Sequence, residues 1–343
     1  MSPDLRAVVA CAALALLAGC QPARHVEQFR GPTMGTSYHL EVAADDAAPF
    51  PRAHLEAGIA VILATLDRGL STYRPDSDLS RFNAARTREW VPVSADVAVV
   101  VAEAQRISAL TNGAFDVTVG PLVNAWGFGP VKKPQTVPSE AEIAQAKQDI
   151  GFRKLHVRLE PPALRKDDPA MVIDLNAIGP GLAIDQLAAF LEREGHGDYL
   201  VELGGEVLSK GRKPDGSAWR IGIENPLATP RALVATAEVE GQALSTAGDY
   251  RAYFDAAGRR YSHILDPRTG RPITHALTSV SVVAPSALSA NGWDTALMVM
   301  GPDEARALAE QQKLAALFVI RTPAGFRTES TSGFRAYAAG LVH

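Results

Sequence analysis

The chain has 343 residues, 47% of them hydrophobic and 21% charged, with a formal net charge of −4. That length is enough for one large or two modest domains with a substantial core. Basic residues are scattered along the chain, so no electrostatic footprint for nucleic acid is present and no nucleic-acid partner is expected.

The first twenty residues end in AVVACAALALLAGC, apolar from Ala7 to Ala18 and too short for a stable membrane span. Leu17-Ala18-Gly19-Cys20 resembles the lipobox of bacterial lipoproteins. Residues 1–19 are therefore expected to be a signal peptide, with Cys20 acylated at the new N-terminus. Several acyl chains on one cysteine anchor stably where a single chain binds marginally. The expected location is the periplasmic face of a bacterial membrane, and Gln21 after the cysteine favours the outer membrane. Cys11 and Cys20 are the two cysteines of the chain. The folded part is thus expected to lack disulfides, thiolate metal sites, cysteine nucleophiles and cysteine-ligated iron–sulfur clusters.

Residues 20–30 read as the lipidated cysteine and a polar tether, leaving residues 31–343 as one domain. Tyr38, Leu40 and Val42 alternate as a strand. Leu55, Ile59, Ile62, Leu63 and Leu66 keep helical spacing, and a second helix runs from about Ser94 to Leu110 before Asn112-Gly113 stops it. Ser139 with Glu142 is a capping box that opens a short helix. Strands are expected at 153–160, 171–175, 198–203, 218–223, 232–240, 243–265 (with a turn at Ala257-Gly258) and 278–284, and helices at 181–194, 287–300 and 303–312. Strands and helices do not alternate regularly, so the class is α+β and not doubly wound. A Rossmann site is excluded by spacing: Gly127-Phe128-Gly129 has no third glycine and runs into Pro130, and Leu203-Gly204-Gly205-Glu206 is no phosphate loop.

Several stretches are richer in Gly, Asp, Ser, Thr and aromatic residues than a core requires. They include GPTMGTSY (31–38), STYRPDSDLSRFN (71–83), GAFDVTVGPLVNAWGFGP (113–130), IDLNAIGPGLAID (173–185), LVELGGE (200–206), LSTAGDYRAYF (244–254), YSHILDPRTGRPI (261–273) and ANGWDTALMVMG (290–301). Singly, each is accounted for by glycine turns, capping aspartates or buried aromatics. His263, near a strand end before the turn Asp266-Pro267-Arg268-Thr269-Gly270, reads on its own as a packed side chain ahead of a base or a metal ligand.

Taken together and in this order, from about Gly31 almost to the C-terminus, these stretches resemble the FAD:protein FMN transferases of the ApbE family. TMGTSY, GAFDVTVGPLVNAWGFGP, STAGDYR and SHILDPRTG carry the resemblance. It implies a single α+β unit of two lobes with FAD in the cleft between them. The implied reaction is Mg²⁺-dependent: FAD is cut at its pyrophosphate, FMN is joined by a phosphoester to a threonine of a target protein, and AMP is released. Targets of the family are subunits of membrane redox complexes and related flavoproteins.

Carried onto matching positions, the resemblance makes Met34, Tyr73, Ala114, Phe115, Asp116, Asp174, Pro180 and the backbone at Leu265 flavin contacts, with Thr246 and Gly248 as weaker candidates. It places the metal at the Ala177 carbonyl, Asn291, Asp294 and Thr295, and it makes His263 the base. These roles agree with elementary chemistry. Mg²⁺ takes oxygen ligands, typically one or two carboxylates with phosphate and water. A threonine hydroxyl needs a base, and histidine's reference pKa of about 6.5 suits one. The turn before the 181–194 helix sets Gly179 and Gly181 where backbone N–H groups could face phosphate. Asp266 and Arg268 are expected to shape their turn.

Two positions depart from the family pattern. Asn291 stands where the family has a metal-binding aspartate, removing one negative charge. Pro180 stands where many members carry lysine or another polar residue, although proline fits the first turn of a helix. Two other readings of the same residues are an FAD pyrophosphatase and a non-catalytic flavin-binding lipoprotein.

Overall fold

In the computed structural model, which describes residues 23–131, 134–226 and 232–341, eight strands form one sheet. They are β1 (Arg24–Thr33), β2 (Thr36–Asp45), β3 (Tyr199–Leu203), β4 (Glu206–Lys210), β5 (Gln242–Gly248), β6 (Leu277–Ala284), β7 (Ala315–Thr322) and β8 (Gly325–Ser330). Their order across the sheet is their order along the chain, and every neighbouring pair is antiparallel.

The central strands are buried on both faces. Along β7, Ala316, Phe318 and Ile320 enter one core while Ala315, Leu317 and Val319 enter another, so the run AALFVI is continuously apolar rather than alternating. Helices cover one face: α1 (Arg52–Leu70), α2 (Asp78–Ala84), α3 (Ala95–Leu110) and α6 (Gly179–Arg193) lie between β2 and β3 in the chain, as do α4 (Gly120–Ala125) and α5 (Glu140–Gln148), which pack apart from the sheet, and α7 (Ala287–Met300) and α8 (Pro302–Gln311) lie between β6 and β7. Leu55, Ile59, Leu63 and Leu66 of α1 recur on one face at helical spacing and join the main core. The other face is covered by a three-stranded sheet of Arg220–Glu224, Leu233–Glu238 and the C-terminal Ala338–Leu341, with Leu233–Glu238 in the middle. A satellite core of Leu122, Trp126, Ile143, Ala146, Ile150, Phe254 and Leu265 joins α4 and α5 to the segment after β5.

The class is α+β, as expected, and the capping box of Ser139 and Glu142 opens α5. Three expectations need correction. The leader, Cys20 and Gln21 lie outside the described residues, but most of the expected tether does not: residues 24–30 belong to β1, paired with β2 along its whole length. This is an edge strand whose alternate side chains are polar and whose one fully buried residue is Phe29, so its composition imitates a linker. Residues 171–175 form no strand. Met171, Ile173 and Leu175 point into the core, but the backbone partner of Ile173 is the Asn83 amide, which accepts from its N–H at 2.8 Å and donates to its carbonyl at 2.9 Å. The expected long strand 243–265 ends at Gly248. A separate hairpin follows, Tyr253–Ala256 with Arg259–Ser262, turning at Ala257-Gly258 as expected.

Helix α6 is set against α7 by a glycine. A Cβ on Gly181 would stand 2.4 Å from the carbonyl oxygen of Ala287 and 2.7 Å from Cα of Leu288, both backbone atoms that cannot swing aside. The neighbouring Asp185 carboxylate accepts from the N–H groups of Ala287 and Leu288 at 2.7 and 3.0 Å, capping α7 from another helix. Gly181→Ala is therefore expected to destabilise the protein by about 1–3 kcal/mol, as overpacking does, measured by urea denaturation. An unchanged midpoint would show that the two helices separate freely.

Candidate active site

Two cavities adjoin at Asn176, which lines both. The first, of about 390 Å³, opens where the main core meets the satellite core. β4 contributes Glu206, β5 contributes Thr246, Ala247 and Gly248, and α7 contributes Asn291, Asp294, Thr295 and Val299. The loop before α6 brings Asp174 and Ala177, and the stretch around α4 brings Val119, Val123 and Phe128. His263, Ile264 and Leu265 complete the wall beside Arg251 and Ala252. The second cavity, of about 630 Å³, is bounded by Met34, Tyr38, Asp67, Tyr73 and Arg74 among others.

His263 is held by the residue at the other foot of the Tyr253–Ser262 hairpin. The carbonyl of Ala252 accepts from the His263 backbone N–H at 3.0 Å and from its Nδ1–H at 2.9 Å. With Nδ1 protonated, Nε2 is the unprotonated nitrogen of the neutral ring. Phe128 meets the imidazole edge-on at 6.3 Å, and the hairpin is fixed by stacking of Phe254 on Tyr261 and by the tilted contact of Tyr261 with Trp126. Burial lowers the His263 pKa below its ordinary value, so the ring is a neutral acceptor at neutral pH.

Opposite lies an oxygen-rich corner on α7. Asp294 is 1% exposed and Asn291 5%. The Ser245 hydroxyl donates to Asp294 Oδ2 at 2.6 Å, and the Thr295 hydroxyl donates to Oδ1 at 3.2 Å. Burial first, then the charge of Glu206, pushes the Asp294 carboxyl well above the usual range. Glu206 is itself pushed up to about 7, chiefly by burial. Asn291 Oδ1 is buried without a hydrogen-bond partner, which is costly unless something absent from the chain satisfies it. Asn291-Gly292 lies inside α7 rather than at a turn, and the missing side chain at 292 admits Ile107 of α3. No group of three or more His, Cys, Asp or Glu side chains able to hold a metal occurs among the described residues.

The structure thus brings His263, Leu265, Asp174, Ala177, Asn291, Asp294 and Thr295 to one cavity, together with Thr246 and Gly248. Met34 and Tyr73 stand in the second cavity. Met34 is presented there by a two-residue turn: Met34 (φ 45°) and Gly35 (φ 78°) both adopt positive φ between the paired Thr33 and Thr36. Tyr73 is 67% exposed at the mouth.

Ala114, Phe115, Asp116 and Pro180 line neither cavity. Ala114 and Phe115 are core residues. The Asp116 carboxylate is engaged by the N–H and hydroxyl of Thr118 and by the N–H of Phe152, at 2.7 to 2.8 Å, which makes it a clasp between its own turn and the segment at Phe152. Pro180 sits in the first turn of α6 as its chemistry suggests. The expected phosphate-facing N–H of Gly179 is already given to the Leu175 carbonyl at 2.7 Å, and Gly181 serves helix packing. Asp266 and Arg268 do shape their turn, the carboxylate accepting from both the backbone and the guanidinium of Arg268.

Sequence reasoning missed Glu206, Arg251, Asn176 and Ser245. The signal for Glu206 was Gly204-Gly205, both with positive φ, which turn the chain so that the following carboxylate faces the cavity.

A model of the ApbE family matches residues 34–318. The FAD:protein FMN transferase of Klebsiella pneumoniae is 43% identical over 338 residues, 96% of each chain. That of Vibrio cholerae is 41% identical over 96% of this chain and 98% of its own. Among solved structures, the flavin transferase ApbE from Vibrio cholerae superposes with a TM-score of 0.84 at 39% identity, covering 92% of this chain and 99% of that one. The Pseudomonas stutzeri flavinyl transferase ApbE gives 0.84 at 43%, covering 93% and 98%. With similarity running through both cavities and nearly end to end, the chain belongs to the ApbE family.

Proposed function

We propose that this protein is an FAD:protein FMN transferase that uses Mg²⁺ to attach FMN through a phosphoester to a threonine of a target flavoprotein, releasing AMP. The observation that carries the reading is the first cavity itself: a neutral imidazole whose protonated nitrogen is fixed by Ala252 shares one space with the buried oxygens of Asn291 and Asp294 and the hydroxyl of Thr295. Named transferases similar over the whole chain give that cavity its substrate class.

The donor set fits magnesium. It offers one buried carboxylate, an amide oxygen lacking a partner, a hydroxyl and the Ala177 carbonyl, all hard oxygens, with the Glu206 carboxylate lining the same cavity from β4. Asn291, Asp294, Thr295 and Ala177 would hold the ion, which when bound supplies positive charge to pyrophosphate oxygens. The chain's own residues do the rest. His263 Nε2 takes the proton of the threonine hydroxyl as its oxygen attacks the FMN-side phosphorus. The bond from that phosphorus to the bridging oxygen breaks, and AMP leaves with the bridging oxygen. Apolar Val119, Val123 and Phe128 beside the histidine keep water from competing as the nucleophile. Met34 and Tyr73 hold the flavin side in the second cavity.

The same reading includes lipid anchoring through Cys20 at the periplasmic face of a bacterial membrane, the outer one favoured by Gln21, where the targets would be subunits of membrane redox complexes. Among the described residues no helix is long and apolar enough to cross a membrane.

The test is to incubate the full chain with FAD, Mg²⁺ and a threonine-bearing subunit of a flavin-carrying redox complex, following AMP and the acceptor's mass. AMP with acceptor heavier by one FMN is expected. AMP without acceptor labelling would favour a pyrophosphatase, and bound FAD without AMP would favour a flavin-binding lipoprotein.

A further inference from the structure

We infer that Glu206 supplies the cation site on α7 with the negative charge that Asn291 does not provide. This rests on the magnesium reading above and concerns how this chain makes that site without an aspartate at 291.

The argument begins with strand register. β4 and β5 are antiparallel, with Ala243 opposite Leu208 and Leu244 opposite Val207. One step further along the same ladder sets Ser245 opposite Glu206, and cross-strand partners project from the same face. Leu244 and Val207 enter the core beneath the small sheet, whereas Ala243 and Leu208 enter the core beneath the helices. Alternation therefore turns Ser245 and Glu206 toward α7. Ser245 proves the direction, since its hydroxyl reaches Asp294 at 2.6 Å. Glu206 lines the same cavity as Asn291 and Asp294.

Among the described residues no basic side chain forms an ion pair with Glu206, although the charge of Arg251 acts on it. Arg251 is the nearest cation and lies over the Gly204-Gly205 turn, where a Cβ on Gly205 would come within 3.2 Å of its guanidinium. Its ion pair, however, is with Glu224 at 3.4 Å. Three carboxylates, of Asp174, Glu206 and Asp294, and the unpartnered Asn291 amide oxygen thus line one cavity, whose guanidinium, that of Arg251, is ion-paired with Glu224. Carboxyl groups are buried together at such cost where a cation joins them. An ion there would take oxygen from Asn291 and Asp294 and net charge from Asp294 and Glu206.

The experiment measures Mn²⁺ binding, by electron paramagnetic resonance, to the full chain without FAD, so that no step of turnover enters the readout. Glu206→Gln is expected to weaken Mn²⁺ binding by about 10- to 100-fold. Adding Asn291→Asp to that variant is expected to restore most of the loss, because the charge returns from the other wall. Glu206→Asp, which keeps the charge, is expected to lose less than Glu206→Gln. Unchanged binding in Glu206→Gln would overturn the inference, as would failure of Asn291→Asp to restore it in a folded double variant. If the wild-type chain binds no Mn²⁺, the magnesium reading itself falls and this inference with it.

Discussion

Replacing His263 by alanine is expected to slow flavin transfer by about 10²- to 10⁴-fold, the usual worth of a positioned general base, while FAD still binds. The Ala252 carbonyl fixes which nitrogen carries the proton, and burial keeps the ring neutral. Both features bear on pH. A base works only when unprotonated, so the rate must rise with pH through the histidine's pKa and then level. Because burial lowers that pKa, the acid limb of the wild-type profile should have its midpoint below the ordinary value of about 6.5, and the rate should be flat through neutrality. In His263→Ala that limb should vanish along with the rate. Single-turnover AMP release across pH, with FAD binding followed separately by fluorescence, makes the test. A wild-type midpoint above 6.5, or an alanine variant that keeps the limb, would remove His263 from the role of base.

The chemistry of this site was more legible in the sequence than the strands that carry it. His263, Asp294 and Thr295 stand in stretches whose polar density a core does not explain, and those stretches are local. The helix 287–300 was readable to the residue, since Ser286 caps it and Gly301 ends it. Strands buried on both faces were harder, because AALFVI shows no period to separate strand from helix. β1 failed for the opposite reason, having too little apolar content to look folded at all. Residues 171–175 have a strand's composition, but a single asparagine side chain replaces the neighbouring strand, and no local pattern announces a partner ninety positions away. Asp116 has a structural duty that no local pattern announces: its carboxylate ties Thr118 of its own turn to the distant Phe152. Glu206 shows the complement. Its importance comes from standing across a ladder from Ser245 and beneath α7, a relation between three distant segments that only the sheet reveals.

Asp294→Asn should separate stability from function. Turnover is expected to fall by at least about 10²-fold, since charge stabilisation by a bound cation is worth several kcal/mol and each 1.36 kcal/mol is tenfold in rate. The metal-free protein should nevertheless become more stable at neutral pH. Asp294 is buried and feels Glu206, and both effects favour its neutral form. A carboxyl whose folded pKa lies above its unfolded value, about 3.9, contributes stability at low pH that is lost as pH rises toward the folded value. The amide has no such loss, and it can still accept from Ser245 and donate to the Thr295 oxygen in place of the two bonds present. Urea denaturation of the metal-free proteins should therefore show the variant's advantage growing from pH 4 to pH 7.5. Added Mg²⁺ should reverse the order, because an ion that binds only the folded wild-type chain stabilises it in proportion to the logarithm of its concentration. A variant less stable than wild type without metal, and equally responsive to Mg²⁺, would mean that Asp294 is held for packing alone. The opposite pattern would identify α7 as a place where the fold tolerates unfavourable burial of charge because a cation later resolves it.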